Sequence, residues 1–227
     1  MSRQRCFSLA LIVLILLVGG AVPARAEGFP VKDLPREGKS LGDFLPRGWV
    51  VEEQVQGDLT GDGLADLAAM LIEDKPDDDE NGTKNERQRG LIILVSQGKE
   101  KLMLAGSNDR LLQCTTCGGV KGGVTIELKK DVIIVGQMIG SRGFTDETWR
   151  FRYDPQTRRF VLIGRDIETG DSVLGTGKVE SFNMLTGLKI TETYRYDRGG
   201  NRKITVSTKR EKGAKNTPFL EDVEADY

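Results

Sequence analysis

The sequence predicts a mostly β protein of antiparallel sheets, either a sandwich or a propeller-like fragment, with little helix. Short runs rich in β-branched and aromatic residues recur at close spacing, separated by Gly, Asn, Asp or Lys. Several runs alternate, as in residues 148–153, where aromatic side chains fall on one face and Thr or Arg on the other. No stretch keeps a helical period over three turns. Because nothing requires parallel pairing, we expect antiparallel sheets, each with one solvent-exposed face and one buried face.

The first 26 residues have the pattern of a secretory signal peptide. Two arginines precede an apolar run over residues 9–18, and residues 24–26 (Ala-Arg-Ala) give a small-x-small cleavage site. The run is short for a transmembrane helix, and no later run approaches membrane-spanning length. We therefore expect cleavage near Ala26, export to the periplasm or the extracellular space, and no membrane span in the mature chain.

Charge and composition exclude some functions. The whole chain has 33 basic and 34 acidic side chains. Removing the first 26 residues takes away three arginines and no acid, which leaves 30 basic side chains and a net charge of −4. The charges alternate in sign, whereas nucleic-acid binding needs a concentrated cationic surface, so no nucleic-acid partner is expected. The chain has no His, the commonest general base and transition-metal ligand.

The mature chain divides into three parts by composition. Residues 27–47 contain three prolines and predict an irregular lead-in that ends at a Pro-Arg-Gly turn. Residues 48–208 predict a single β-rich domain. Its strand-like runs are 50–56, 67–72, 91–95, 101–105, 123–128, 132–138, 147–153, 159–163, 187–196 and 203–208. The run 67–72 is apolar throughout, and its short length favours a strand over a helix.

Three polar stretches are expected to lack regular structure. Residues 73–89 are polar and include four consecutive acids, which predicts a solvated, mobile loop; a second cation or partner site is the alternative. The Gly-rich residues 170–178 predict a flexible connection. Residues 209–227 return to charge and Pro, which predicts a disordered tail with at most Phe219 and Leu220 docking locally.

Residues 58–66 form the strongest functional motif. They follow a strand-like run and precede the apolar run, and they concentrate three carboxylates, one hydroxyl and two glycines. Counted from Asp58, the polar side chains at positions 1, 3, 5 and 9 are Asp58, Thr60, Asp62 and Asp66. A tight turn can bring such alternate side chains and one backbone carbonyl onto a hard cation, so the spacing predicts a Ca²⁺ loop. The alternative is an Asp- and Gly-rich hairpin turn without metal.

The motif departs from an EF-hand, because position 12 is Ala69 rather than Glu and no helical pattern flanks it. It resembles the single Ca²⁺ loops of FG-GAP and VCBS repeats, over about residues 49–72, and exported bacterial proteins that carry one such loop before a β domain. The resemblance implies the following calcium ligands: the side chains of Asp58, Thr60, Asp62 and Asp66, and the carbonyl of Leu64. Thr60 stands where Asp or Asn is commoner, and the motif occurs once, so a full propeller is not implied.

The two mature cysteines, Cys114 and Cys117, are three residues apart. In an exported protein this spacing predicts a disulfide that acts as a short structural staple. The alternative is a thiol-redox pair, which needs the first thiol at a helix N-terminus, where the dipole lowers its pKa. Two glycines follow Cys117 and no helix is predicted there, so the structural role is favoured.

These observations predict an exported, calcium-stabilised β module to which no catalytic residue is assigned. It is expected to bind a macromolecule or carbohydrate, or to support envelope assembly. The alternative is an enzyme, either thiol-redox through Cys114 and Cys117 or hydrolytic through carboxylates such as Glu127, Asp146 and Glu147.

Overall fold

The computed structural model describes residues 28–197, 199–200 and 202–225. The predicted signal peptide and its cleavage site lie outside the described residues. Within them, twelve strands form: β1 (Glu37–Gly38), β2 (Trp49–Gly57), β3 (Asp66–Glu73), β4 (Arg89–Ser96), β5 (Leu102–Asn108), β6 (Gly123–Lys129), β7 (Val132–Gly140), β8 (Gly143–Asp154), β9 (Arg159–Asp171), β10 (Thr176–Asn183), β11 (Leu188–Tyr196) and β12 (Lys203–Lys212). The helical segments described are four 3₁₀ turns: Val31–Asp33, Leu41–Phe44, Gly119–Lys121 and Leu220–Asp222.

The strands form two antiparallel sheets. The five-stranded sheet has the order β1-β5-β4-β3-β2, and the seven-stranded sheet has the order β12-β11-β10-β9-β8-β7-β6. Consecutive strands of the second sheet pair through short turns along its whole width. The predicted class, mostly β with antiparallel sheets and little helix, is confirmed, and the arrangement is a sandwich.

The main core lies between the two sheets. The five-stranded sheet contributes Ala68, Met70, Leu91, Ile93 and Val95. The seven-stranded sheet contributes Ile126, Ile133, Val135, Trp149, Phe151, Phe160 and Leu162. Trp149 and Phe151 are fully buried, and Tyr153 packs against the same cluster, so the aromatic face of 148–153 is a core face. Burial of such large side chains stabilises the sandwich by about 1.5–3 kcal/mol each.

A second core covers the outer face of the five-stranded sheet. Residues 28–47 cross this face, and Phe29, Phe44 and Trp49 pack on side chains of β3 and β4. All eight residues of β3 are therefore buried, which explains why residues 67–72 are continuously apolar. The ring of Phe29 lies over Gly90, where a Cβ atom would come within 2.2 Å of the ring.

The segment after β12 differs from the sequence prediction of a disordered tail over 209–227. Residues 209–212 continue β12, and Leu220 is fully buried between the sheets. Val223 and Ala225 belong to the same core. The Asn108 side chain explains the fixed position, because its amide donates to the carbonyls of Leu220 (2.6 Å) and Val223 (2.8 Å). Through residue 225, the tail is part of the sandwich.

The last three strands of the seven-stranded sheet, here called the wing (β10, β11 and β12), lack a second layer. The three strands pack on one another and on β9, and none of the other described elements contacts them extensively. Most of their residues are exposed or half-buried. The predicted flexible connection over 170–178 is instead a hairpin: β9 runs to Asp171, and β10 starts at Thr176. Strand β12 is the edge, and it carries several Lys and Arg side chains, which discourage edge-to-edge association.

Candidate functional site

The predicted calcium loop connects β2 to β3. Gly57 pairs with Asp66 across the hairpin, so the loop itself spans residues 58–65. Leu59 points into the main core and is 3% exposed, which anchors the loop at its start. Gly61 and Gly63 have φ values of +81° and +84°, a left-handed backbone that other residues adopt at a cost. The glycines are therefore required by the shape of the turn.

The loop is wrapped around its own carboxylates. Six consecutive backbone N–H groups, from residue 59 to residue 64, donate to the three aspartates. Asp66 accepts from Leu59 (2.9 Å) and Thr60 (3.0 Å), Asp58 accepts from Gly61 (2.7 Å), Asp62 (3.1 Å) and Gly63 (2.9 Å), and Asp62 accepts from Leu64 (2.8 Å). Hydrogen bonds from amides to carboxylates are charge-assisted and strong. They offset part of the repulsion that clusters three negative charges in one turn.

Asp66 has a structural role that the other two aspartates lack. It is fully buried, whereas Asp58 and Asp62 are exposed. Its second oxygen accepts from the N–H of Ser96 at 2.9 Å, at the end of β4. One carboxylate thus joins the loop to the third strand of the same sheet through three backbone donors.

The donor set of the loop fits a hard cation. Its side-chain donors are carboxylate and hydroxyl oxygens, which Ca²⁺ prefers. The hydroxyl oxygen of Thr60 is buried and has no hydrogen-bond partner among the described residues, an uncommon state for a buried polar atom. Leu64, whose carbonyl is the fifth implied ligand, is exposed four residues later in the loop.

The aspartates are not equal candidates for the ion. Asp58 and Asp66 each accept three hydrogen bonds, whereas the Asp62 carboxylate accepts one among the described residues and keeps the most capacity. Asp66 differs from Asp58 in being fully buried, so its oxygens are the less accessible to an ion. Within residues 28–197, 199–200 and 202–225, the three aspartates do not form a group in which one oxygen from each lies within 4.8 Å of both others. In this structure the aspartate carboxylates therefore accept hydrogen bonds from the loop's own amides.

Cys114 and Cys117 form a disulfide, as predicted, with their Cα atoms 5.1 Å apart. The residues that follow lead into the 3₁₀ turn Gly119–Lys121, not into an α-helix. Glu86 lies within 4.8 Å of both sulfurs, but oxidised cysteines do not supply the thiolates that bind metals. A four-residue ring contributes about 2 kcal/mol by the chain-entropy estimate, which suits a staple. A disulfide is also compatible with an exported protein.

The three carboxylates suggested for hydrolysis do not share a site. Glu127 and Asp146 lie on the outer face of the seven-stranded sheet, where they line an open hollow of about 480 Å³. Glu147 lies on the inner face and accepts from Arg165 at 2.9 Å, in a buried ion pair beside Trp149. The inner and outer faces are separated by the sheet itself.

Asp146 faces another acid. It pairs with Glu168 across β8 and β9, and burial together with the Glu168 carboxylate raises the pKa of Asp146. Between the ordinary carboxyl value and this raised pKa, the folded protein holds a proton that the unfolded chain has released. Stability contributed by this group is therefore lost as the pH rises through that window.

Replacing Asp146 by asparagine is expected to stabilise the fold at pH 7, because Asn carries no charge beside Glu168. The gain should vanish below pH 3.8, the ordinary value, since Asp146 is then protonated in both states. Urea unfolding across this pH range measures it. Asp166→Asn on the same face is the matched control, because Asp166 pairs with Arg150 at 2.8 Å and its loss should not stabilise. Equal behaviour of the two variants would contradict the assignment.

The sequence did not single out a polar cluster on the outer face around Tyr194. This side chain is 4% exposed, lies over Gly177 and donates its hydroxyl proton to Glu168. Lys203 lies 3.1 Å from the same carboxylate and 3.9 Å from the ring centroid. Burial, reinforced by Glu168, raises the pKa of Tyr194, so the hydroxyl stays a donor. The alternation within residues 191–196 was the available signal, but it does not reveal partners on other strands.

The acidic loop over 73–89 is hydrogen-bonded within itself. The Asp79 carboxylate accepts from the N–H groups of Asn81 and Thr83, both at 2.8 Å. Lys84 forms an ion pair with Asp78 at 2.7 Å, and Arg87 pairs with Asp77. These acids are thus matched by neighbouring cations, and the described part of the chain shows no convergence of three acidic groups here.

No protein-family model, curated protein or solved structure matches the chain. Among residues 28–197, 199–200 and 202–225, no helical segment combines the length and the apolar character that crossing a bilayer requires. The assignment of function therefore depends on the geometry described above.

Proposed function

We propose that the protein is an exported, calcium-stabilised β module without catalytic activity, which binds a macromolecular or carbohydrate partner or supports envelope assembly. The observation that supports it most is the loop over 58–65. Its amides face the aspartates, and the hydroxyl oxygen of Thr60 is buried without a partner in the described structure. A cation would supply what the loop lacks, positive charge and a partner for that oxygen.

In this proposal Asp58, Thr60, Asp62 and the carbonyl of Leu64 hold the ion, and Asp66 mainly holds the loop. Bound Ca²⁺ would neutralise the exposed carboxylates and tighten the β2–β3 hairpin. Extracellular modules bind Ca²⁺ with dissociation constants of about 10⁻⁴ to 10⁻³ M, which suits a structural ion. The resemblance to FG-GAP and VCBS loops supports the same reading.

The binding role is supported by the wing. Protein sheets usually cover at least one face, because exposed apolar area is costly. The wing leaves both faces open, and it includes exposed Tyr196 and Val206. Tyr is enriched at protein interfaces, because its ring is apolar and its hydroxyl is polar.

Saturating Ca²⁺ is expected to raise the melting temperature, and EDTA to lower it. At a hundredfold excess over the dissociation constant, one site adds about 2.7 kcal/mol to stability. Asp62→Ala should abolish the calcium-dependent shift, because it removes an exposed charged ligand whose carboxylate accepts one backbone hydrogen bond among the described residues. Differential scanning calorimetry with and without Ca²⁺ measures both results.

Asp79→Ala is the matched control, because Asp79 also caps two amides in an exposed acidic turn. It should leave the calcium-dependent shift unchanged. A wild-type melt that is identical in Ca²⁺ and in EDTA would refute the calcium site.

A further inference from the structure

Large apolar side chains are exposed at one end of the seven-stranded sheet. This end, here called the apolar end, consists of the β7–β8, β9–β10 and β11–β12 turns and the 3₁₀ turn Gly119–Lys121. The three most exposed large hydrophobic side chains of the described structure all lie here: Val120 (89%), Val173 (71%) and Leu174 (65%). Tyr196, at the end of β11, is 41% exposed. Turn tips are normally polar, so this concentration requires an explanation.

Hydrogen bonds to the backbone of the β9–β10 turn hold it in a conformation that exposes its two apolar residues. Asp171 accepts from the N–H groups of Val173 and Leu174, both at 2.8 Å. The other oxygen of Asp171 accepts from Arg142 at 2.9 Å, and Ser172 donates to the Arg142 carbonyl. The turn is thus braced against the β7–β8 turn. Its two aliphatic side chains are presented in a fixed position, which lowers the entropy cost of binding.

The other apolar side chains flank the same support. The N–H of Gly140, at the end of β7, donates to the Gly118 carbonyl at 2.8 Å and thereby positions the turn that carries Val120. On the far side, the N–H of Tyr196 donates to the Gly175 carbonyl at 2.7 Å. From β7 to β11 there are four strand spacings, so the apolar row is about 19 Å long.

Two arginines lie at the β11–β12 end of this row. Arg195 and Arg202 are exposed, and neither guanidinium forms an ion pair with another described residue. Asp171, in the β9–β10 turn, is paired with Arg142 at 2.9 Å. Asp197, in the β11–β12 turn, accepts from the N–H of Arg202 at 3.4 Å. Among the charged side chains named here, three arginines outnumber two aspartates beside the apolar row, although the mature chain as a whole is acidic.

We propose that the apolar end docks on a lipid surface that contains anionic headgroups. Stable protein partners need a contiguous complementary area of about 800 Å² on each side, whereas these side chains stand on separate tips. A bilayer interface accepts protruding aliphatic side chains without shape complementarity, and anionic headgroups attract Arg side chains at its edge. This proposal adds a lipid surface to the partners proposed above, and it rests on the proposed function only for export.

The docking surface and the calcium loop lie at opposite ends of the molecule. Gly57 packs on Leu128, next to the β6–β7 turn, and this turn is at the other end of β7 from the β7–β8 turn. The two proposals can therefore fail independently. Vesicle binding is measured in EDTA, which also prevents Ca²⁺ from bridging carboxylates to anionic lipid.

The test is co-sedimentation of the mature chain with phosphatidylcholine vesicles, with and without phosphatidylglycerol. We expect binding that is stronger with phosphatidylglycerol and weakens with salt. The double variant Val173→Ser, Leu174→Ser should bind at least about tenfold more weakly, because its apolar groups no longer enter the interface. Leu185→Ser is the matched control, since Leu185 is 39% exposed on the β10–β11 turn at the other end of the sheet.

A second variant keeps the test decisive if the double variant fails to fold. Leu174→Trp retains an apolar tip, and its fluorescence should shift to the blue on addition of anionic vesicles. Absence of wild-type binding to both kinds of vesicle, or equal binding by the double variant, would overturn the proposal. Loss of self-association in the double variant, without vesicle binding by the wild type, would instead assign the surface to protein contacts and also overturn it.

Discussion

Replacing Asp66 by alanine is expected to lower the free energy of unfolding by about 3–5 kcal/mol, because each buried donor left without a partner costs about 1–3 kcal/mol. The carboxylate is fully buried and accepts from Leu59, Thr60 and Ser96. Alanine would leave these three N–H groups without their acceptor. Water can reach part of the loop, so the loss is set below the sum of three full penalties. Urea unfolding in EDTA measures it without a contribution from metal.

Asp62→Ala is the matched control for this loss. Asp62 belongs to the same loop but is exposed and accepts one backbone bond, from Leu64. In EDTA its replacement should cost less than about 1 kcal/mol. Similar losses for both variants would show that the three-donor contact of Asp66 does not hold the hairpin. The pair of variants therefore separates the structural acid from the proposed ligand.

Replacing Leu220 by alanine is expected to cost about 2–5 kcal/mol, the range for emptying a buried leucine site. Leu220 is fully buried, and it packs with side chains from both sheets. Its backbone is fixed by Asn108, so the segment cannot readily collapse into the space left by the side chain. Thermal or urea unfolding of the variant measures the loss.

The control for the tail is Lys215→Ala, since Lys215 is exposed in the connection between β12 and the buried segment. It should change stability by less than about 0.5 kcal/mol. If Leu220→Ala were as stable as the wild type, residues 219–225 would not be part of the core. The outcome thus decides between the packed tail and the disordered one that its composition predicts.

The two-residue alternation of the sequence was sufficient to predict most strands. It works best in β7 and β8, where one face is buried and the other wet, as in residues 148–153. It failed at β10, because this strand belongs to the single-layered wing and buries little apolar area. The sequence prediction therefore placed residues 176–178 in a connection, although they pair with β9 and β11.

Long-range contacts were the second limit. Spacing alone identified Asp58, Thr60, Asp62 and Asp66 as one loop. It could not show that Asp66 is buried, because the Ser96 N–H that it binds is 30 residues away. The tail was missed for the same reason, since the contact that orders Leu220 comes from Asn108, 112 residues earlier.

The position of Leu220 has a consequence for how the chain is made. The space between the two sheets is filled only when this residue and its neighbours arrive, and they follow every strand in sequence. A growing polypeptide therefore lacks a finished interior until synthesis has passed residue 225. Contacts that join such distant parts of a sequence also form slowly. If the chain is exported as proposed, its late-completed core would keep it unfolded enough to pass through a secretion channel before it folds.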